Sequence, residues 1–156
     1  MYVATAYQGV AKDAVWKLKF EGAQAAAHDM ATVMAALLPV DAVTLLVPAP
    51  TATSHIRRRG YDQARLLARA VAKQTGLPHA PCLVRLGQQR QVGANRQQRF
   101  EQLAGAFRLA AGYDVTGKTI LLVDDVLTTG ATLEAAAAVL KQAGARRVEA
   151  VVFARA

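Results

Sequence analysis

The chain has 156 residues, the length of one domain, and at 53% hydrophobic and 19% charged it falls outside the compositions of disordered chains. No window approaches the roughly 18 unbroken apolar residues of a membrane span, and MYVATAYQG lacks the basic and apolar blocks of a signal peptide. One cysteine, Cys82, excludes an intrachain disulfide and a multi-cysteine zinc site, so a cytoplasmic protein without membrane insertion is expected. The net charge of +8 is concentrated between His55 and Arg108, where eleven Arg and Lys face only Asp62 and Glu101, a distribution that suits a polyanion: a phosphorylated small molecule or nucleic acid.

In chain order, residues 9–20 place Val10, Ala14, Val15 and Leu18 at helical spacing, and Gly22 ends that pattern. AQAAAHDMATVMAALL predicts a second helix that Pro39 ends. AVTLLV, 42–47, reads as a buried strand, and PAPTATSHIRRRG as irregular chain because of its prolines and small residues. YDQARLLARAVAKQTG is a helix stopped by Gly76, and CLVRL, 82–86, a short strand. GQQRQVGANRQQR, 87–99, has few apolar anchors and is expected to be a flexible loop. AFRL is a strand, GYDVTGK a turn, TILLVDD the strongest strand, ATLEAAAAVLKQAGA a helix, and RVEAVVFA a closing strand. Strands alternating with helices predict one α/β domain spanning 1–156, a parallel sheet flanked by helices, with residues 1–38 a helical segment.

The chemistry concentrates in ILLVDDVLTTGAT, 120–132. In an open parallel sheet, ligands bind beyond the carboxyl ends of the strands. The order strand, two acids, TTGAT, helix puts Asp124 and Asp125 at that edge and the turn at a helix N-terminus. Such an end offers unpaired N–H groups and partial positive charge to a phosphate. Gly130 lets backbone approach closely, and Thr128, Thr129 and Thr132 add hydroxyls. Two carboxylates suit a ribose hydroxyl pair and can hold Mg²⁺ through water. The ligand these residues describe is a 5′-phosphorylated ribose. GxxxxGK[ST] is absent, so the stretch is not a P-loop.

VDDVLTTGAT resembles the 5-phosphoribosyl-1-pyrophosphate (PRPP) loop of type I phosphoribosyltransferases. Three further segments are similar to the ComF/GntX-like branch: AVWKLKFEG, VPAPTATSHIRRRGYDQARLLA and QVGANRQQRFEQLAGAF. They carry an R-x-R-G-[FY]-[ND]-Q element at Arg57 to Gln63, then Gln91, Arg99, Gln102 and Gly105–Phe107. Asp62 and Gln102 stand where the branch more often has asparagine. The resemblance implies a type I phosphoribosyltransferase-like (Rossmann-like) fold with PRPP or a related ribose phosphate as ligand. Asp124 and Asp125, the catalytic and metal-holding pair, would meet the ribose hydroxyls, and Thr128, Thr129, Gly130, Ala131 and Thr132 the 5′-phosphate. Ala49 and Pro50 fall at the position of its pyrophosphate loop, where proline has no N–H and Ala49 and the residues after Pro50 would have to donate, with Arg57 and Arg59 supplying charge-assisted contacts. Gln91 and Arg99 would act from the loop 87–99 and Mg²⁺ on the pyrophosphate, while 1–38 would form a hood over the acceptor.

The zinc ribbon that opens many ComF relatives is absent, so no zinc is expected in this chain. The resemblance implies a link to DNA uptake in natural competence, with a competence protein as partner. Transfer to an unidentified nitrogen acceptor is one reading; a non-catalytic PRPP sensor or single-stranded-DNA-binding accessory protein is the other. No general base is assigned: His28, His55 and His79 read as structural or surface histidines. Cys82 reads as core, and Trp16 with Phe20, four apart, as a packing pair.

Overall fold

The computed structural model describes residues 1–21, 23–86 and 105–156. Its main sheet has four parallel strands, β1 (Tyr2–Ala6), β2 (Leu45–Pro48), β5 (Thr119–Leu127) and β6 (Arg147–Arg155), in the order β1-β6-β5-β2. β3 (Leu83–Arg85) and β4 (Phe107–Leu109) make a separate antiparallel pair in which Arg85 lies opposite Phe107. The helices are α1 (Gly9–Phe20), α2 (Ala23–Ala35), α3 (Thr53–Arg59), α4 (Gln63–Thr75) and α5 (Ala131–Gln142). An α/β fold with a parallel sheet between helices is what the alternation of elements predicted.

The period-2 geometry of a strand sends alternate side chains to opposite faces, and β5 shows what this does. Leu121 and Val123 join a core shared with α1, α2 and α4, while Ile120 and Leu122 join one shared with α5 and the small sheet. Burial on both faces explains why β5 and β2 read as continuous apolar runs rather than alternating ones. Cys82 is buried in the second of these cores, as expected. The outer edge of β2 is closed by the segment after α4. There Leu46 N–H donates to the Pro78 carbonyl and Ala80 N–H to that of Leu46.

Two elements differ from the sequence expectation. The N-terminal segment is not helical throughout: Tyr2–Ala6 pair with Val151 to Arg155 as the edge strand of the sheet. Tyr2 and Ala4 face one core and Val3 the other, a pattern too short to stand out before its partner strand is known. The stretch read as irregular contains a helix, α3. Its prolines all precede Thr53, no breaker intervenes before Gly60, and Gly60 closes it at φ 81° in the left-handed region. None of its residues is fully buried, so no apolar stripe announced it.

Asp62 caps α4. Its Oδ1 accepts from the N–H groups of Ala64 and Arg65 and from the Thr51 hydroxyl at 2.8 Å. A side-chain oxygen at this position satisfies amides that the first turn of the helix leaves unpaired. The Thr51 contact also ties the loop after β2 to α4.

Candidate active site

β2 and β5 are neighbours, and their carboxyl ends open side by side into a cleft of about 760 Å³. Ala49 to His55 form one wall, with Arg57 from α3, Gln63 from α4, and Arg85 and Leu86 from the small sheet. Asp124, Asp125 and Thr132 form the other. Asp124 and Thr132 also line a second, small pocket of about 40 Å³ whose remaining wall is the stretch from Val126 to Leu133. That small pocket is the turn between β5 and α5. Gly130 caps α5 at φ 79°, a backbone conformation that side chains disfavour. Among the described residues, Thr129 Oγ1 accepts from the N–H of Ala131 at 3.4 Å. The N–H groups of Thr132 and Leu133 likewise have no carbonyl one turn earlier to bond, whereas that of Glu134 donates to the Gly130 carbonyl at 2.9 Å, so the helix end offers donors at the pocket.

Most residues singled out in the sequence therefore converge. Asp124, Asp125, Ala49, Pro50, Arg57 and Thr132 share the larger cleft; Thr128, Thr129, Gly130 and Ala131 line the smaller pocket beside it. Ala49 contributes wall rather than an N–H, because its amide donates to the Val123 carbonyl at 2.9 Å and extends the β2–β5 ladder. Arg59 turns away from the cleft lining to lie over the Phe20 ring, 5.4 Å from its centroid. Its Nε and Nη1 are buried without a hydrogen-bond partner among the described residues, as is Gln63 Oε1. Gln91 and Arg99 lie outside the described residues. His55, read as a connecting-segment histidine, sits on α3 in the cleft wall. Trp16 and Phe20 are half-exposed rather than packed inside, with ring centroids 5.7 Å apart. α1 buries Ala11, Val15 and Leu18, and the two aromatics fall on another stripe of that helix.

The two acids differ in surroundings. Asp125 is buried; its Oδ1 accepts from the Val126 N–H at 2.9 Å, and its Oδ2 lies 2.7 Å from Lys19 Nζ on α1. Lys19 was missed by sequence reasoning, although it belongs to one of the segments that carry the family resemblance. Asp124 accepts only from the Asp125 N–H through Oδ1 among the described residues. Its carboxyl is held well above the usual carboxylate range, first by burial and then by the charge of Asp125 beside it.

A native pKa above the unfolded one means that the folded chain binds the proton more tightly. Asp124 then favours the fold below its unfolded-state pKa, and that contribution is lost as pH rises through the native value. In metal-free buffer, Asp124→Asn is expected to raise the Tm at neutral pH. The gain over wild type should vanish near the ordinary carboxylate range, at about pH 4. Thermal melts at the two pH values check this, and an equal difference at both would contradict it.

A parallel sheet with an inner strand that ends in paired acids and runs through a threonine-glycine turn into a helix defines a class of α/β proteins with their site at the carboxyl edge of the sheet. The chain belongs to the phosphoribosyl transferase domain family, whose model matches residues 56–156. Within that family it is ComF-like. It is 31% identical over 114 residues to Competence protein F of Haemophilus influenzae, covering 71% of this chain and 50% of that protein. To Competence protein ComFC of Bacillus subtilis it is 30% identical over 142 residues, covering 88% of this chain and 56% of the relative. The chain thus spans about half the length of these relatives. Among solved structures, the adenine phosphoribosyltransferase of Thermoanaerobacter pseudethanolicus shares the fold. That structure has a TM-score of 0.56 at 15% identity, covering 85% of this chain and 81% of that one. Among the described residues, no helix is long and apolar enough to cross a membrane.

Proposed function

We propose that the chain binds PRPP in the paired pockets and transfers its phosphoribosyl group to a nitrogen nucleophile. One observation carries this reading: the small donor-lined pocket and the acid-lined cleft meet at Asp124 and Thr132. A single ligand with phosphate at one end and hydroxyls at its middle would fill both. The 5′-phosphate would sit in the turn from Thr128 to Thr132, and the ribose hydroxyls would donate to Asp124 and Asp125. The pyrophosphate would then lie toward Pro50, Thr51 and Arg57, where an exposed guanidinium offers charge-assisted bonds.

The reaction would form a C1–N bond as the C1–O bond to pyrophosphate breaks. Pyrophosphate would leave with the electron pair, and the nucleophile would lose a proton. The chain's contribution would be positioning, together with stabilisation of the departing charge by Arg57.

The fold family implies Mg²⁺. No cluster of three or more metal-ligating side chains occurs among the described residues. That fits a cation which keeps its waters and is held by one or two carboxylates plus phosphate oxygens. Asp124 would hold it from the protein side through water, and when bound it would offset charge on the leaving pyrophosphate. Equilibrium titration with PRPP, with and without Mg²⁺, followed by a pyrophosphate-release assay across a panel of nucleobases, tests the proposal. Binding without release for any acceptor would leave a PRPP sensor; no binding would end the reading.

A second reading draws on a groove of about 540 Å³ beside the cleft, lined by Arg65, Arg69 and Arg85 together with Tyr61 and Leu66. It shares Pro50, Thr51, Thr53 and Arg85 with the active-site cleft, and basic residues beside an aromatic ring suit single-stranded nucleic acid. A role in DNA handling, as the names of the competence relatives suggest, would use this face. Affinity for single-stranded DNA should then fall steeply with salt, and Arg65→Ala/Arg69→Ala should flatten the slope by about 1.4 units of log–log dependence. A salt-independent affinity would exclude the groove as a phosphate-contacting surface.

A further inference from the structure

Three consecutive residues at the end of α1 are held by the segment joining α3 to α4 and by β5. The Leu18 carbonyl accepts the Tyr61 hydroxyl, and the Phe20 ring carries the Arg59 guanidinium. Between them Lys19 reaches Asp125. Leu18 is itself fully buried, so the helix is fixed on both sides of the lysine. Burial raises the Tyr61 phenol above its usual range despite the nearby Arg59 charge, which keeps the hydroxyl a donor.

The ion pair is largely shielded, with side-chain exposures of 22% for Lys19 and 7% for Asp125. A carboxylate this deep is stable as an anion only when a cation and hydrogen bonds compensate it. Asp125 has both, the Lys19 ammonium on Oδ2 and the Val126 N–H on Oδ1. Among the described residues, Asp124 has no ion pair. Adjacent in sequence, the two acids differ in kind: one is neutralised from within the chain and the other is not. α1 lies outside the residues matched by the family model, so that match gives Lys19 no role.

We propose that Lys19 is a positioning residue of the ribose-phosphate site: it is the resident cation of Asp125, holding that carboxylate in place as a hydroxyl acceptor while keeping divalent cations off it. The inference rests on the ribose-phosphate reading of the cleft and assigns any divalent cation to Asp124. It also accounts for the aromatic and basic residues of the R-x-R-G-Y element, because Arg59 and Tyr61 brace the segment that delivers the lysine.

Mn²⁺ alone, titrated into the protein and followed by the electron paramagnetic resonance signal of the free ion, tests the inference without PRPP. Lys19→Met is expected to bind Mn²⁺ at least about tenfold more tightly than wild type, because an uncompensated carboxylate is exposed to the ion. Lys19→Arg should behave as wild type, and Lys19→Met/Asp125→Asn should lose the gain. With PRPP in EDTA, Lys19→Met should bind about tenfold more weakly and Lys19→Arg within about twofold of wild type. Lys19→Gln, which retains a donor without the charge, replaces the methionine variant if circular dichroism shows that the latter does not fold. Equal Mn²⁺ affinity in wild type, Lys19→Met and Lys19→Arg would overturn the proposal. Unchanged PRPP affinity in EDTA would overturn its positioning role. If Asp124→Asn/Asp125→Asn leaves PRPP binding intact, the ribose-phosphate reading fails instead, while the Mn²⁺ titration still reports on Lys19.

Discussion

Replacing Asp124 and Asp125 together by asparagine is expected to weaken PRPP binding by about thirtyfold or more. A hydrogen bond to a charged acceptor exceeds one to a neutral acceptor by roughly 1–1.5 kcal/mol. Over two bonds to a ribose hydroxyl pair the difference comes to about 2–3 kcal/mol, with each 1.4 kcal/mol a factor of ten. Asparagine keeps the shape of both side chains and an acceptor oxygen, so the loss isolates the charge. The effects on stability oppose one another. Removing the Asp124 charge relieves its repulsion with Asp125, as its raised pKa indicates. Removing the Asp125 charge leaves Lys19 partly buried and unpaired, a defect that is strongly destabilising where both groups are fully buried. Here Lys19 reaches solvent, which reduces that cost. The double variant is therefore expected to fold, and a titration with circular dichroism as control checks both statements. Retained wild-type affinity would remove the acids from the ligand site.

The second large effect is expected from Thr132→Asp. Thr132 is part-buried in the first turn of α5, on the wall common to both pockets. A carboxylate there would stand against the ligand's 5′-phosphate. Like charges about 4 Å apart at an effective dielectric near 20 repel by about 4 kcal/mol, so PRPP and ribose 5-phosphate should both bind at least about a hundredfold more weakly. The same substitution suits the fold, since an acid in the first turn interacts favourably with the helix dipole, by about 0.3–1 kcal/mol. Binding lost with Tm unchanged or raised is a signature that simple misfolding would not give. Unaltered ribose 5-phosphate affinity would move the phosphate elsewhere.

Much of this site was legible in the sequence because it is local. Strand, acids, threonine-glycine turn and helix lie within ILLVDDVLTTGAT, and each residue type announces its chemistry in chain order. β5 and α4 were equally plain, one from its unbroken apolar run, the other from its period and Gly76. α3 and β1 were not. α3 buries no residue fully and so carries no stripe, and β1 becomes a strand only through pairing with the far end of the chain. The Lys19–Asp125 pair was hidden for the same reason: a lysine on an amphipathic helix looks solvated until tertiary packing brings an acid from β5 against it. Ala49 shows the reverse error, a residue at the cleft whose N–H the sheet had already used. Gln91 and Arg99 fall outside the described residues.

One sugar phosphate spanning the threonine-glycine pocket and the acid-lined cleft would bind at a single site per chain. Competitive titration of the wild-type protein tests it most directly, with PRPP bound first and ribose 5-phosphate or inorganic pyrophosphate added as displacer. Saturable binding of PRPP at one site per chain, displaced by ribose 5-phosphate, is the expected result. Absence of saturable binding, or displacement by pyrophosphate with none by ribose 5-phosphate, would contradict it.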